Sequence, residues 1–400
     1  MTDQSRLHHA RQMIGHTRDA PATPALLLDL PAVERNIAEM ARRMADLPAS
    51  LRPHAKIHKS PALGRMQLDA GAIGLTTATV WEASAMLDAG ISDVLIANQV
   101  VGPVKAAELA RIAGLGRVIT AVESRANARE LSEAARVAGS RIDVLIEFDV
   151  GLHRSGVRTP QEAVDLAGVL RSLPGLRLQG VLGYEGHCML EPDRAVRISK
   201  ASAANSSLLE VADALELASH PTEIIAGGGL GTWDITGENP RITEIHAGSY
   251  VFTDAFHRNL VPGFEVALTV LATVVSRTGD MVVLDCGRKS IGIDRTLPEV
   301  VGCHGTIRFD HGEHFIHEEH TGLDLAAACS LAVGDRVELM PGYAPTTVNL
   351  YDIYHVVANG KVIDVWPILG RYGSSTTSVG PVPTRELDSP RAAMHPSQDC

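Results

Sequence analysis

Between residues 50 and 250 the chain repeats one pattern: a short β-branched or apolar run, a turn, and a segment with apolar residues at helical spacing. That alternation commits a chain to a parallel sheet, because parallel neighbours need a crossover and a helix makes it compactly. Eight runs read as strands: Arg52–Ile57, Gly74–Ala78, Val94–Asn98, Arg117–Ala121, Val144–Phe148, Gln179–Tyr184, Glu223–Gly227 and Thr243–Ala247. Helical stretches such as Pro103–Ala113 and Ser124–Ala138 lie between them. Eight is the closing number of a TIM-like (β/α)8 barrel. An open doubly wound sheet competes, and the barrel is preferred because no GxGxxG follows the first strand.

Ahead of these runs, Pro31 opens a helix in which Val33, Ile37, Met40 and Met44 recur at intervals of 4, 3 and 4, an inward face. The segment Pro24–Asp29 (PALLLD) before it reads as a strand pairing outside the barrel. Beyond about residue 262 the runs Val266–Val275, Met281–Asp285, Arg336–Met340 and Tyr354–Ala358 are separated by TGD, VGD and ANG turns and lack helical periods. They predict a second, all-β domain of antiparallel type. The expected division is an N-terminal extension over 1–22, the barrel with its preceding strand and helix over 23–260, the β domain over 261–372 and a tail over 373–400. The tail is rich in Ser, Thr and Pro, and is expected to be mobile or to lie over a neighbour.

Composition removes several classes of function. With 36 basic against 47 acidic side chains and a net charge of −11, there is no basic footprint for nucleic acid. Five scattered cysteines without a CxxC encode neither a disulfide framework nor a zinc knuckle, and they fit a reducing cytoplasm. No apolar run reaches the roughly 20 residues that span a bilayer, and the first residues, MTDQSRLHHARQ, lack the apolar stretch of a signal peptide. A cytoplasmic protein acting on a small molecule is the expectation. Seventeen histidines raise the question of a metal or proton-transfer site. The His8-His9 pair reads as a surface feature.

In a barrel the strand C-termini build the site, and several here are polar. The first strand ends in RPHAKIHKS, where Lys56 beside His54 and His58 would be desolvated and cation-crowded, conditions that favour Schiff-base chemistry. A blander reading stands beside it, in which Lys56, His58 and Lys59 mark a strand end entering solvent. The fifth strand runs into EFDVGLHRSGV, with Glu147, Asp149, His153 and Arg154; the sixth runs into GYEGH, with Tyr184, Glu185 and His187. The seventh ends in the Gly-rich turn Ala226–Thr232, and the eighth in HAGSYVF, with Gly248, Ser249 and Tyr250. Loops after strands seven and eight are where barrels recurrently bind phosphate. A lysine at one end and a phosphate cradle at the other are what pyridoxal phosphate requires.

The motifs RPHAKIHKS, TTATVWEASAMLDAGISDVLIANQVV, EFDVGLHRSGV, GYEGH, GSYVF and TVNLYD, in this order over about residues 22 to 372, resemble the D-threonine aldolase/D-serine dehydratase family. These are fold-type III pyridoxal-phosphate enzymes related through their barrel to alanine racemase. The resemblance implies that Lys56 carries the cofactor and that Arg154 approaches its phenolic oxygen. It places Tyr184 near the pyridine nitrogen, and gives the phosphate cradle to Gly228, Gly229, Gly248, Ser249 and Tyr250. It also implies a homodimer in which each β domain closes the partner's barrel.

One departure outweighs the matches. The family carries PGHxDPTVNLYD or a His-x-Cys variant, whose His and Asp or Cys hold a divalent metal on the substrate's β-hydroxyl. Here Tyr343 stands for the histidine and Pro345 for the acid, so both ligands are replaced. His311, His314, His317 and His320 do not compensate, since a spacing of three on a strand alternates faces; His320 alone matches a family motif, EEH. His58 and His187 are then the candidates for proton transfer. The reading is a lyase that splits Cα–Cβ of a D-configured 3-hydroxy amino acid, with the divalent metal doubtful. The alternative is a racemase or epimerase with Lys56 and Tyr343 as its two bases. A D-serine-type dehydratase ranks lower, because hydroxide leaves poorly without a Lewis acid.

Overall fold

The computed structural model describes residues 3–279, 281–301, 307–308, 315–324 and 331–371. Eight parallel strands form one sheet: Ser50–Leu51, Leu75–Thr77, Asp93–Gln99, Arg117–Val122, Ile142–Glu147, Leu176–Leu182, Ile224–Gly227 and Glu244–Ile245. The first pairs with the last, Leu51 opposite Ile245. Backbone bonds from Ile73 N–H to the Leu51 carbonyl (3.0 Å) and from Thr76 N–H to the Pro53 carbonyl (2.9 Å) tie the first to the second. The sheet therefore closes as the strand count predicts.

The crossover helices begin and end where local chemistry requires. In Arg125–Ala138, Ser124 Oγ accepts the Asn127 N–H (3.2 Å), and Gly139 ends the helix at φ 64°. Its Ala128, Leu131 and Ala135 are buried, which follows from their three- and four-residue spacing. The strand Ile142–Glu147 is buried at every position, as a strand covered on both faces must be.

The first strand departs from expectation. Only Ser50–Leu51 is strand, whereas Ala55–Ile57 is a 3-10 turn capped by His54, whose Nδ1 accepts the Lys56 N–H (3.4 Å). Between them Arg52, 1% exposed, holds the short closure together. Its Nε and Nη2 donate to Glu244 (2.7 and 3.1 Å), and its Nη1 donates to Asp93 (2.5 Å).

A second sheet runs in the order Ile307–Arg308, Glu299–Val301, Arg336–Met340, Leu268–Thr278, Ala25–Asp29, Ile353–Ala358, Lys361–Pro367. The strand Ala25–Asp29 pairs antiparallel with Leu268–Thr278 and parallel with Ile353–Ala358, outside the barrel as PALLLD suggested. The following helix Leu30–Met44 starts at Pro31 and buries Val33, Ile37, Met40 and Met44. This part is not all-β, for Ala344–Asn349 is a helix. Pro345 lies in its first turn, where a missing N–H costs nothing.

His8, His9, His317 and His320 are exposed. His317 packs on Phe315 at 4.5 Å between ring centroids. His311, His314 and the segment from Gly373 lie outside the described residues. Among the described residues, no helix is long and apolar enough to cross a membrane.

Candidate active site

A cavity of about 820 Å3, open mouth included, sits at the C-terminal ends of the barrel strands and reaches the β-domain residue Tyr343. Lys56 projects into it from the 3-10 turn. Burial lowers its pKa, Glu82 opposes that, and the guanidinium groups of Arg154 and Arg295 lower it further. The desolvated, cation-crowded lysine of the sequence reading is therefore present, in a turn and not in a strand. Glu82 itself is committed to a buried ion pair with Lys59 and to the Ala78 N–H (2.7 Å).

Arg154 and Tyr184 share the cavity, with the guanidinium 5.8 Å from the ring centroid. Glu147 accepts from Ser155 Oγ (2.7 Å) and pairs with Arg154 at 3.5 Å, which steers the arginine across the mouth. The Tyr184 hydroxyl donates to Met189 Sδ (3.0 Å), and burial raises its pKa, so the phenol stays protonated. Tyr343 is likewise a raised phenol, first through burial and then through Asp254, with Arg295 partly offsetting.

The glycine loops line the cavity, but their amides divide differently from the expected pattern. Gly228 N–H donates to Glu185 (3.1 Å) and Gly229 N–H to Thr232 Oγ1 (3.2 Å), so these two donors are taken. Among the described hydrogen bonds, the N–H groups of Leu230, Gly248 and Ser249 donate to nothing, and all three residues line the cavity. Gly248 allows this, since a Cβ there would stand 2.4 Å from the His54 carbonyl oxygen. Tyr250 does not reach the cavity with its ring. Its hydroxyl accepts from Gln67 Nε2 (2.8 Å), and the ring packs on Phe264.

Two of the expected proton-transfer residues are also elsewhere. His58 is fully buried, with Nδ1 accepting the Ser60 N–H (3.0 Å) and Nε2 against Gln67 Oε1 (3.2 Å). Burial pushes its pKa down to about 4. The tight turn at Ala55–Ile57 sends it away from Lys56. His187 contacts Cys188 Sγ (3.4 Å) and is absent from the cavity wall.

Three other histidines take the wall: His54, His246 and His257. His54 and His246 follow strand ends and were visible as neighbours of Lys56 and Gly248. His257 follows Asp254, a Ser/Asp-type cap signal just past GSYVF. Arg295 had no local signal.

This geometry has counterparts. The alanine racemase N-terminal domain family matches residues 28–250, and the serine dehydratase domain family matches residues 267–357. The chain is 33% identical to 3-hydroxy-D-aspartate aldolase of Paracoccus denitrificans (strain Pd 1222), over 87% of this chain and 92% of that protein. It is 35% identical to D-threonine aldolase of an Arthrobacter species over the same shares, 87% and 92%. The chain belongs to the D-threonine aldolase family of fold-type III enzymes. Its fold superposes on the crystal structure of D-threonine aldolase from Filomicrobium marinum with a TM-score of 0.82, at 33% identity, covering 90% of this chain and 98% of that one.

The β-domain loop of this member of the D-threonine aldolase family brings Tyr343 to the cavity. Tyr343 lines the cavity and caps the helix Ala344–Asn349, and Pro345 offers no side-chain donor atom. Among the described residues, no three His, Cys, Asp or Glu side chains converge as a metal site. The donor set at this loop does not fit a divalent ion.

Proposed function

We propose that this protein is a pyridoxal-phosphate-dependent lyase that cleaves a D-configured 3-hydroxy amino acid to glycine and an aldehyde. The observation that carries the proposal is Lys56, desolvated and further lowered in pKa by the charges of Arg154 and Arg295, sharing a cavity with three backbone N–H groups that have no partner among the described hydrogen bonds. That combination suits an aldehyde at one end of the cofactor and a phosphate at the other. Lys56 would hold the aldehyde carbon, and Leu230, Gly248 and Ser249 would hold the phosphate. Arg154 and Tyr184 would flank the ring. Bound there, the cofactor supplies an electron sink for a bond at Cα.

The wall around the substrate favours cleavage over the other reactions. Dehydration asks for help to a departing hydroxide, and Tyr343 with Pro345 gives no metal through which to provide it. Two-base racemisation asks Tyr343 to be a base, yet burial and Asp254 raise its pKa, so at neutral pH it is a hydrogen-bond donor. We further read the enzyme as a cytoplasmic homodimer, the dimer on the family resemblance and the reducing compartment on five scattered cysteines without a CxxC.

Borohydride reduction of the holoenzyme followed by peptide mass spectrometry should find the cofactor on Lys56; an unmodified Lys56 refutes the cofactor assignment. Incubation with D- and L-3-hydroxy amino acids, with products resolved as aldehyde, 2-oxo acid or opposite enantiomer, should give aldehyde from the D series. Either of the other products in its place refutes the lyase reading. Sedimentation of the holoenzyme at twice the chain mass of 42.6 kDa checks the dimer.

A further inference from the structure

His257 lies in the helix Ala255–Leu260, past the last barrel strand, and is 3% exposed. Asp254, fully buried, accepts the His257 backbone N–H (2.8 Å) and pairs through the same oxygen with His257 Nδ1 (2.8 Å). Its other oxygen accepts the N–H of Ala344 (2.9 Å), so the β-domain loop is tied to the same carboxylate. The imidazole stacks on Tyr343, with ring centroids 5.9 Å apart and planes at 25°, and meets the edge of Phe256 at 5.0 Å. The ring is held by a carboxylate and by two aromatic neighbours, and it faces the cavity that holds Lys56.

The chemistry of that arrangement is specific. A carboxylate oxygen facing a ring nitrogen accepts, which places a proton on Nδ1 and leaves Nε2 as the nitrogen with the lone pair in the neutral ring. A buried carboxylate behind an imidazole also stabilises the imidazolium formed when Nε2 takes a proton. The other cavity histidines are arranged differently. His54 spends Nδ1 on the Lys56 N–H, and burial, with Lys56, His246 and Lys59 adding to it, drives its pKa well below the usual range. His246 turns Nε2 toward Glu244 at 3.6 Å. Among the described residues, His257 is the cavity histidine with a carboxylate at hydrogen-bond distance.

We infer that His257 is the proton acceptor for the substrate's β-hydroxyl, with Asp254 as its positioning residue; the inference rests on the lyase reading above. The β-hydroxyl proton passes to His257 Nε2 and the O–H electron pair becomes the second bond of the aldehyde carbonyl. The Cα–Cβ bond breaks with its pair left on Cα, the atom held next to the cofactor. A proton taken up from solvent then completes the methylene of glycine at Cα, and His257 returns the hydroxyl proton to solvent as the aldehyde leaves, so the proton count is unchanged. No redox partner is needed.

The test uses the holoenzyme with any D-3-hydroxy amino acid that the wild type cleaves, alongside exchange of the glycine α-proton in deuterium oxide. Exchange needs Lys56 and the cofactor but has no hydroxyl to deprotonate. His257→Gln should lower kcat for cleavage by about 10²–10⁴-fold, the usual worth of general-base help, and leave exchange within about threefold. His257→Ala should regain cleavage with added imidazole. A downfield proton signal from Nδ1–H should be present in the wild type and absent from both His257→Gln and Asp254→Asn. Cleavage by His257→Gln within about tenfold of wild type overturns the inference, as does equal loss of cleavage and exchange or a missing Nδ1–H signal in the wild type. A wild type that exchanges glycine yet cleaves no 3-hydroxy amino acid overturns the lyase reading and this inference with it.

Discussion

Replacing Arg52 by methionine should destabilise the barrel at the short seam between its first and last strands. The first strand contributes only two residues, Ser50 and Leu51, to its pairing with Glu244 and Ile245. Arg52 extends that seam with side-chain bonds, two to Glu244 and one to Asp93. Removing it strands Glu244, 4% exposed, without its countercharge. Breaking a buried pair on one side costs about 3–5 kcal/mol, because the surviving charge stays desolvated. Removing both charges with Arg52→Met plus Glu244→Met should recover most of that loss, since an apolar pair of similar volume is close to neutral.

The pH dependence tests the same pair independently. Burial raises the Glu244 pKa, but His246 and Arg52 outweigh it and bring it down to about 2 from an ordinary 4.5. A carboxylate whose folded pKa is depressed stabilises the fold above its unfolded pKa, and loses that contribution as pH falls from about 4.5 toward 2. At about 1.4 kcal/mol per pKa unit the contribution is about 3 kcal/mol, in line with the mutational figure. Urea denaturation followed by circular dichroism from pH 7 to pH 3 measures both. Glu244→Gln should flatten the acid limb. A cost below about 1 kcal/mol for Arg52→Met, or an unchanged acid limb in Glu244→Gln, refutes the argument.

Three further outcomes follow from the site. Gly248→Ala places a Cβ 2.4 Å from the His54 carbonyl, so cofactor affinity by fluorescence titration should fall at least about tenfold, or about 1.4 kcal/mol. His58→Ala leaves the Ser60 N–H and the Gln67 Oε1 without their His58 partner, which should cost about 2–4 kcal/mol of stability while kcat of the folded fraction stays within about threefold. A large kcat loss without a stability loss would restore His58 to the chemistry. Tyr343→Phe should keep cleavage within about tenfold, with or without chelator, whereas a two-base racemase would lose about a thousandfold or more.

The barrel, the strand outside it and the arginine–tyrosine pair at Arg154 and Tyr184 were legible because each is written in local pattern. Periodicity reports which face of a strand or helix is buried, and motif order reports which strand ends meet. The same patterns could not report hydrogen-bond competition. Gly228 and Gly229 read as open donors, yet Glu185 and Thr232 take their amides. Nor could they report a three-residue change of backbone: a strand through His58 would set it on the same face as Lys56, and the 3-10 turn at Ala55–Ile57 instead buries it against Gln67. His257 reaches the cavity, and Arg295 the Tyr343 ring beside it, through tertiary proximity, which a single sequence does not encode by spacing.

Tyr343 and Pro345 in the β-domain loop and the dyad at Asp254 and His257 belong to one physical account. A loop that holds a metal needs its donors free and its backbone set by the ion. Here Ala344 N–H is bound by Asp254, Pro345 opens a helix, and Tyr343 lies flat on the imidazole, so side-chain packing and a buried carboxylate set the backbone instead. The carboxylate that fixes the loop also accepts from His257 Nδ1, which couples the position of the loop to the orientation of the imidazole. A histidine is thereby available at the cavity on the barrel side of the Tyr343 contact, although the loop position carries none. Restoring a histidine at Tyr343 alone should therefore fail to create a chelator-sensitive enzyme, because Pro345 still withholds the second ligand, and binding of manganese to Tyr343→His, read by its paramagnetic relaxation, should remain no tighter than to the wild type. Tight, stoichiometric manganese in that single variant would show that the loop retains a metal geometry and that the dyad is not its substitute.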